Sequence, residues 1–291
     1  MDAALILELF GLSIAAALIA GFVIPWTGSY LYLRRTSFYG LALPQLAATG
    51  VACGFAVMPW WVEHVGIGDL ELAAALEDTH AAMNYHLGWA SAFTLGGLGV
   101  LLLLGRRSGS ETAQVAAAFV VASAATVLFA HASPMGEIFV HELLRGEILA
   151  VGVHELETLA AVLGISFLTL LWFQNDFLLV SYDRETAIVL GKPARAIEAG
   201  LGFLVAACVA SGTMTVGPVV LFGLLVLPPI AARPFARSMT GFLVLASSIG
   251  LLGTTLGIYA SFQWDVPLGP CVVLACALCT LPGWLRSHVI K

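Results

Sequence analysis

Long apolar runs separated by short polar breaks repeat along the whole chain. A hydrocarbon layer of about 30 Å is crossed by roughly 20 apolar residues in a helix. On that measure the runs predict spans over 5–26, 40–59, 87–104, 113–132, 156–175, 197–213, 217–233, 241–260 and 268–285. That makes nine spans, or eight if 197–233 is partly re-entrant, because Gly212, Gly217 and Pro218 interrupt it. The polar breaks leave two outer loops, 60–86 and 133–155, and one longer inner loop, 176–196, within a single membrane domain over 1–291.

Composition narrows the reading further. The chain is 60% hydrophobic and 10% charged, with a mean hydropathy of +0.97. A soluble domain carries roughly 25% charged residues, so a water-soluble fold is excluded. The N-terminus has no basic region and carries Asp2 and Glu8, which makes 5–26 a retained span rather than a signal peptide. The five cysteines all lie in apolar stretches, and no disulfide is predicted. Cys276 and Cys279, one turn apart on the last span, read as small apolar packing residues.

Charge sets the orientation, since short loops rich in Lys and Arg stay on the cytoplasmic side. With the N-terminus outside and the C-terminus inside, every basic residue except Arg145 falls inside. The same topology turns most carboxylates, and every histidine except His288, outward. An acidic, histidine-bearing outer face raises the local concentration of cations, and carboxylate with imidazole is a ligand set suited to first-row metals. Exclusion of basic residues from the outer side accounts for the same pattern without any ligand.

Transport needs an energy source, and this sequence has no nucleotide site. The only Gly-Lys pair, Gly191-Lys192, has Thr186 where a P-loop needs its first glycine and Pro193 where it needs Ser or Thr. Two approaches to the zinc-protease pattern, at His141-Glu142 and His154-Glu155, have Arg145 and Thr158 in place of the second histidine. There is no G-x-S-x-G site either. The stretch from Tyr182 to Pro193 is charged, compatible with a helix, and placed on the inner side between two spans. On charge alone it reads as a solvated loop, with docking on a partner as the alternative.

Several blocks, in order and spacing, resemble the permease family of bacterial zinc, manganese and iron ABC importers. They are Leu33-Arg34-Arg35-Thr36-Ser37-Phe38; Asp183, Glu185, Ala187, Gly191 and Pro193; Val216-Gly217-Pro218-Val219-Val220 running to Leu227-Pro228-Pro229-Ile230-Ala231-Ala232-Arg233, then Arg237-Ser238; and Asp265-Val266-Pro267-Leu268-Gly269-Pro270. The resemblance covers most of the chain. It implies an all-α polytopic bundle of eight or nine transmembrane helices with the type II ABC importer permease fold, in the bacterial inner membrane. It also implies two copies around a central path, cytoplasmic ATPase subunits carrying ATP and Mg²⁺, and an extracytoplasmic solute-binding protein. The chain itself would bind no cofactor or nucleic acid and catalyse no reaction. Tyr182, Asp183, Arg184, Glu185, Gly191 and Pro193 would then couple it to the ATPase.

One departure stands out. At the start of span two the family carries an Asp and, four residues later, the histidine of a Ser-His pair, where this sequence has Leu41, Pro44 and Gln45. Leu41 cannot ligate a cation, and Gln45 offers a neutral carbonyl oxygen. Three readings stay open: a path that needs no direct ligation, a substrate other than a bare ion, or ligands near the outer mouth. The last would draw on His131, His141, Glu142, Glu147 and His154, ionisable groups close to membrane depth. Pro228-Pro229 breaks span seven, as happens where a cavity or neighbours satisfy freed carbonyls, and so joins Leu41 and Gln45 as a path-lining candidate. Gly253 and Gly257 have the spacing of close helix contact, within one chain or between two. The alternative drive, an ion gradient, would require buried carboxylates, and the spans hold none near mid-membrane.

Overall fold

The computed structural model describes residues 3–64, 83–105, 111–132 and 151–289. They form twelve helices and no strand among the described residues: α1 Ala3–Leu33, α2 Tyr39–His64, α3 Met83–Gly105, α4 Glu111–His131, α5 Val153–Trp172, α6 Gln174–Tyr182, α7 Arg184–Val189, α8 Ala194–Val216, α9 Pro218–Ala232, α10 Met239–Trp264, α11 Leu268–Leu278 and α12 Leu281–Val289. Among the described residues seven helices are long and apolar enough to cross a membrane, and α9 and the 268–283 segment are shorter apolar ones. All nine expected spans therefore fall on helices. Their ends move where apolarity was a poor guide: α1 runs on to Leu33 and α3 begins at Met83. The last run divides at Cys279-Thr280, because Pro282 has no N–H with which to continue the ladder.

The break at Gly217 has a local cause. Gly217 sits at φ 80°, ψ 156°, a conformation open to glycine, and Pro218 at the first position of α9 needs no N–H donor. Two spans result where one long run stands in the sequence.

The central helix is α2, packed by α3 and α4 on one side and by α8 and α9 on the other. A second group, α1 with α9, α10 and α11, lies beside it, and α5 joins α1 to α8. Phe167 on α5 meets the rings of Phe22 and Trp26 of α1 at 5.5 and 5.1 Å between centroids. Van der Waals packing of small residues is the main source of helix association in lipid. Gly253 and Gly257 follow that rule within the chain: a methyl added at either would come 2.5 Å from Cys276 Sγ or Val272 Cα of α11.

Two prolines and two glycines interlock the second group. Pro229 has no N–H for the Leu225 carbonyl, and Pro25 has none for that of Gly21. Each freed carbonyl is met by the backbone of a glycine on the next helix, Gly28 of α1 on Leu225 and Gly250 of α10 on Gly21, so close that a Cβ would overlap the oxygen. Cα–H groups at such approaches supply weak hydrogen bonds. Only glycine permits them.

Candidate functional site

The inner segment folds as two short helices, not as an open loop. Phe177 and Val180 are buried and hold α6 against the bundle. The chain then turns at Asp183, whose backbone is extended at φ −144°, ψ 91°. Its carboxylate accepts the Thr186 N–H at 3.0 Å and the Thr186 hydroxyl at 2.6 Å, capping α7. Those two hydrogen bonds also hold the Asp183 carboxyl below its ordinary range. At the far end Gly191 adopts φ +73°, and the N–H groups of Gly191 and Lys192 donate to the carbonyls of Ile188 and Ala187, each at 3.0 Å. This pattern closes a helix and requires a left-handed residue at Gly191. Pro193 follows and starts α8. A six-residue helix stands in place because both of its ends are built.

One face of α7 is anchored and the other is free. Ala187 is fully buried with Val180 and Ala194. Val189 is 85% exposed and Leu190 63%, with Tyr182 and Ile188 also outward. Arg184 Nε donates to Glu198 Oε1 of α8 at 3.0 Å, and Arg34, just past α1, reaches the same oxygen at 3.5 Å. Lys192 pairs with Asp176 at 2.9 Å. Glu185 is exposed and has no ion pair among the described residues. The motif thus places an apolar, convex knob on a helix wired by charge to α1 and α8.

The start of α2 faces inward. Gln45 is buried, and its Nε2 donates to the Thr126 hydroxyl of α4 at 3.4 Å. Thr49, one turn on, lies 2.8 Å from the same hydroxyl, and its own single O–H has the carbonyls of Gln45 at 2.8 Å and Ala122 at 2.9 Å as acceptors within reach. A neutral polar seam therefore joins α2 to α4. Leu41, one turn earlier, is half-buried, and its neighbour Gly40 packs on Leu225 and Val226 of α9. Pro228 and Pro229, both buried, lie in the next turn of that helix. Gly40 thus brings the start of α2 against α9 one turn before its prolines, while Gln45 is turned to α4. Replacing Thr126 with valine is expected to lower thermal stability by about 0.6–1.7 kcal/mol, the range for interhelical hydrogen bonds in membranes, as read by thermal unfolding in detergent.

Two of the outer-mouth candidates fall among the described residues, on different helices. His131 ends α4 and is exposed; His154 is exposed near the start of α5, its Nδ1 3.4 Å from Glu157. His141, Glu142 and Glu147 lie outside the described residues. No group of three or more His, Cys, Asp or Glu placed to hold a metal occurs among the described residues. Among the described residues the histidine that enters the bundle is His86, 2% exposed, which the apolar pattern assigns to an outer loop. It stacks on Phe55 of α2 at 4.0 Å, and neither ring nitrogen has a hydrogen-bond partner among the described residues. Gly54, whose added methyl would lie 3.0 Å from its Nδ1, makes room for it.

Helices that cross a membrane, a seam of neutral polar groups within them and a capped knob on one surface define a multi-span permease. The sequence profile of the ABC 3 transport family matches residues 7–286, and the chain belongs to that family. A probable iron transport system membrane protein of Haemophilus influenzae is 25% identical over 267 residues, covering 92% of this chain and 86% of that one. The manganese import system permease protein ScaB of Streptococcus pneumoniae is also 25% identical over 267 residues, covering 91% and 84%. With the chelated iron transport system membrane protein YfeD of Yersinia pestis the identity is 29% over 147 residues, and the chain spans about half of that relative's length. In fold it is similar to PsaBC from Streptococcus pneumoniae solved with a Fab, at a TM-score of 0.79 and 19% identity over 97% of this chain and 94% of that one. An inward-facing metal-chelate type ABC transporter follows at 0.65 and 15%, over 99% and 89%.

Proposed function

We propose that this chain is the membrane-spanning subunit of an ATP-driven importer for a divalent transition metal (zinc, manganese or iron) or a complex of one. The observation that carries the reading is α7: a helix too short to stand alone, capped at both ends, anchored by Ala187 and presenting Val189 and Leu190 outward. Such a knob fits a cleft on a cytoplasmic ATPase subunit, which would carry the ATP and Mg²⁺. Two copies of the chain would enclose the path, and a solute-binding protein would deliver cargo from the extracytoplasmic side. The N-terminus is assigned outside and the C-terminus to the cytoplasm of a bacterial inner membrane. Support for an external drive comes from the bundle itself, since no Asp or Glu side chain is buried among the described residues.

The seam at Gln45 favours a second reading of the cargo. A neutral amide, whose nitrogen is turned to Thr126, offers one uncharged oxygen and is a poor substitute for the carboxylate that would replace water around a bare dication. A metal complex, which keeps its own ligands, needs none from the wall. His131, His141, Glu142, Glu147 and His154 remain proposals for an outer approach.

Element-resolved uptake decides between these readings. Cells expressing the chain with its ATPase and binding protein are expected to accumulate one of zinc, manganese or iron, and the Asp183→Ala/Glu185→Ala variant is expected to fall to background. A metal that enters only with a chelator present would identify a complex as cargo. Equal uptake in the variant, with all subunits assembled, would refute the proposed coupling.

A further inference from the structure

A cavity of about 150 Å³ opens between the inner ends of α1, α2, α3 and α8. Its walls change chemistry along its length. Leu43, Leu98 and Val205 line the part that runs into the bundle, and Arg34, just past α1, and Arg195, in the first turn of α8, stand at its mouth. These walls meet at one face because α1 and α3 end there, while α2 and α8 begin there. The α8 side is a single helical stripe, with Arg195, Glu198, Gly202 and Val205 recurring at three- and four-residue steps.

Charge at the mouth is positive. Glu198 also lines the cavity, but its carboxylate is held by both Arg34 and Arg184. Of the charged residues lining the cavity, Arg34 and Arg195 stand against the single carboxylate of Glu198, a surplus of one positive charge. Arg195 is exposed and has no carboxylate partner among the described residues. A free anion would use the arginines and leave the apolar shaft wet; a neutral lipid would fill the shaft and leave the arginines unmatched.

We infer that this cavity is a binding site for an anionic phospholipid, one acyl chain lying along Leu43, Leu98 and Val205 and the phosphate on Arg195 and Arg34. Basic pockets between spans on the cytoplasmic side recognise anionic head groups in this way. The site is separate from the α2–α4 seam and from the exposed face of α7, and it stands whatever the cargo is.

The test is native mass spectrometry of the full-length chain in detergent, titrated with phosphatidylglycerol, with phosphatidylethanolamine and, separately, with inorganic phosphate. One phosphatidylglycerol per chain is expected to persist where phosphatidylethanolamine is lost. Arg195→Gln should weaken retention about fivefold, the share of one basic residue near an anionic surface. Ala199→Leu, at an exposed position of the cavity wall, should weaken it by obstruction without a change of charge. Arg237→Gln, an exposed arginine outside the cavity, should leave it unchanged. Equal retention of the two lipids, an equal loss in Arg237→Gln, or full displacement by inorganic phosphate would each overturn the assignment. Monodisperse elution of each variant separates lost binding from lost folding.

Discussion

Val189→Asp/Leu190→Asp is expected to abolish co-purification of the ATPase subunit while the permease elutes as a folded chain. Both side chains point into solvent, at 85% and 63% exposure, so carboxylates there disturb nothing within the chain. In a complex they would occupy the centre of the contact, where a charge without a partner loses its hydration and gains nothing in return. Truncating a hot spot costs about 2 kcal/mol or more, roughly a thirtyfold loss of affinity per site, and an inserted charge adds to that. Uptake should fall with assembly. Retained assembly in the double variant would place the ATPase contact elsewhere and remove α7 from the coupling scheme.

The second large effect concerns folding. Gly28→Ala is expected to destabilise the bundle by about 1–3 kcal/mol or more, the cost of overpacking a tight interior. The new methyl overlaps a backbone carbonyl at Leu225, and a backbone atom cannot swing aside as a side-chain tip does. Gly250→Ala should behave alike, against Gly21 and the ring of Pro25. The contrast is Gly164→Ala on α5, where nothing lies within 4 Å of the added methyl. There the outcome is no loss, or a gain of up to about 1 kcal/mol from helix propensity. Thermal unfolding of the three variants in one detergent reads the difference, and equal midpoints would show that α1 relaxes away from both neighbours.

Much of the architecture is legible in the sequence because lipid makes apolar length nearly sufficient to define a helix. The nine runs all reappear, and even the Gly217-Pro218 interruption marks a real boundary between α8 and α9. What apolarity misplaces is the helix that starts with polar or aromatic residues. Met83, Asn84, Tyr85 and His86 form the first turn of α3, and assigning them to a loop hides the one buried histidine among the described residues. A signal for it was present in Gly50 and Gly54, four residues apart on α2. They leave space for Trp89 and His86 of α3.

The inner segment shows the opposite balance. Its caps could be read locally, Asp183 three residues before Thr186 and Gly191 just past the helix, because each acts over one turn. Its charges could not. Arg184 and Arg34 meet at Glu198, and no local spacing joins residues 164 apart in sequence. Gln45 is a similar case. In the sequence it is only a polar residue within an apolar run, and its hydrogen bond to Thr126 on α4 depends on a packing that only the folded chain reveals.

The interlocked prolines and glycines have a mechanical consequence. Leu225 of α9 is pressed on Gly28, and Gly21, two turns earlier on the same α1, is pressed on Gly250 of α10. A tilt of one of these three helices toward its neighbour would drive a carbonyl oxygen into that neighbour's backbone, so the three resist closer approach as a single strut. The α2–α3 contact is pinned in the same way, Gly50 lying against the Trp89 carbonyl, so flexing within this chain is left to joints elsewhere, such as the left-handed glycine at 217 between α8 and α9.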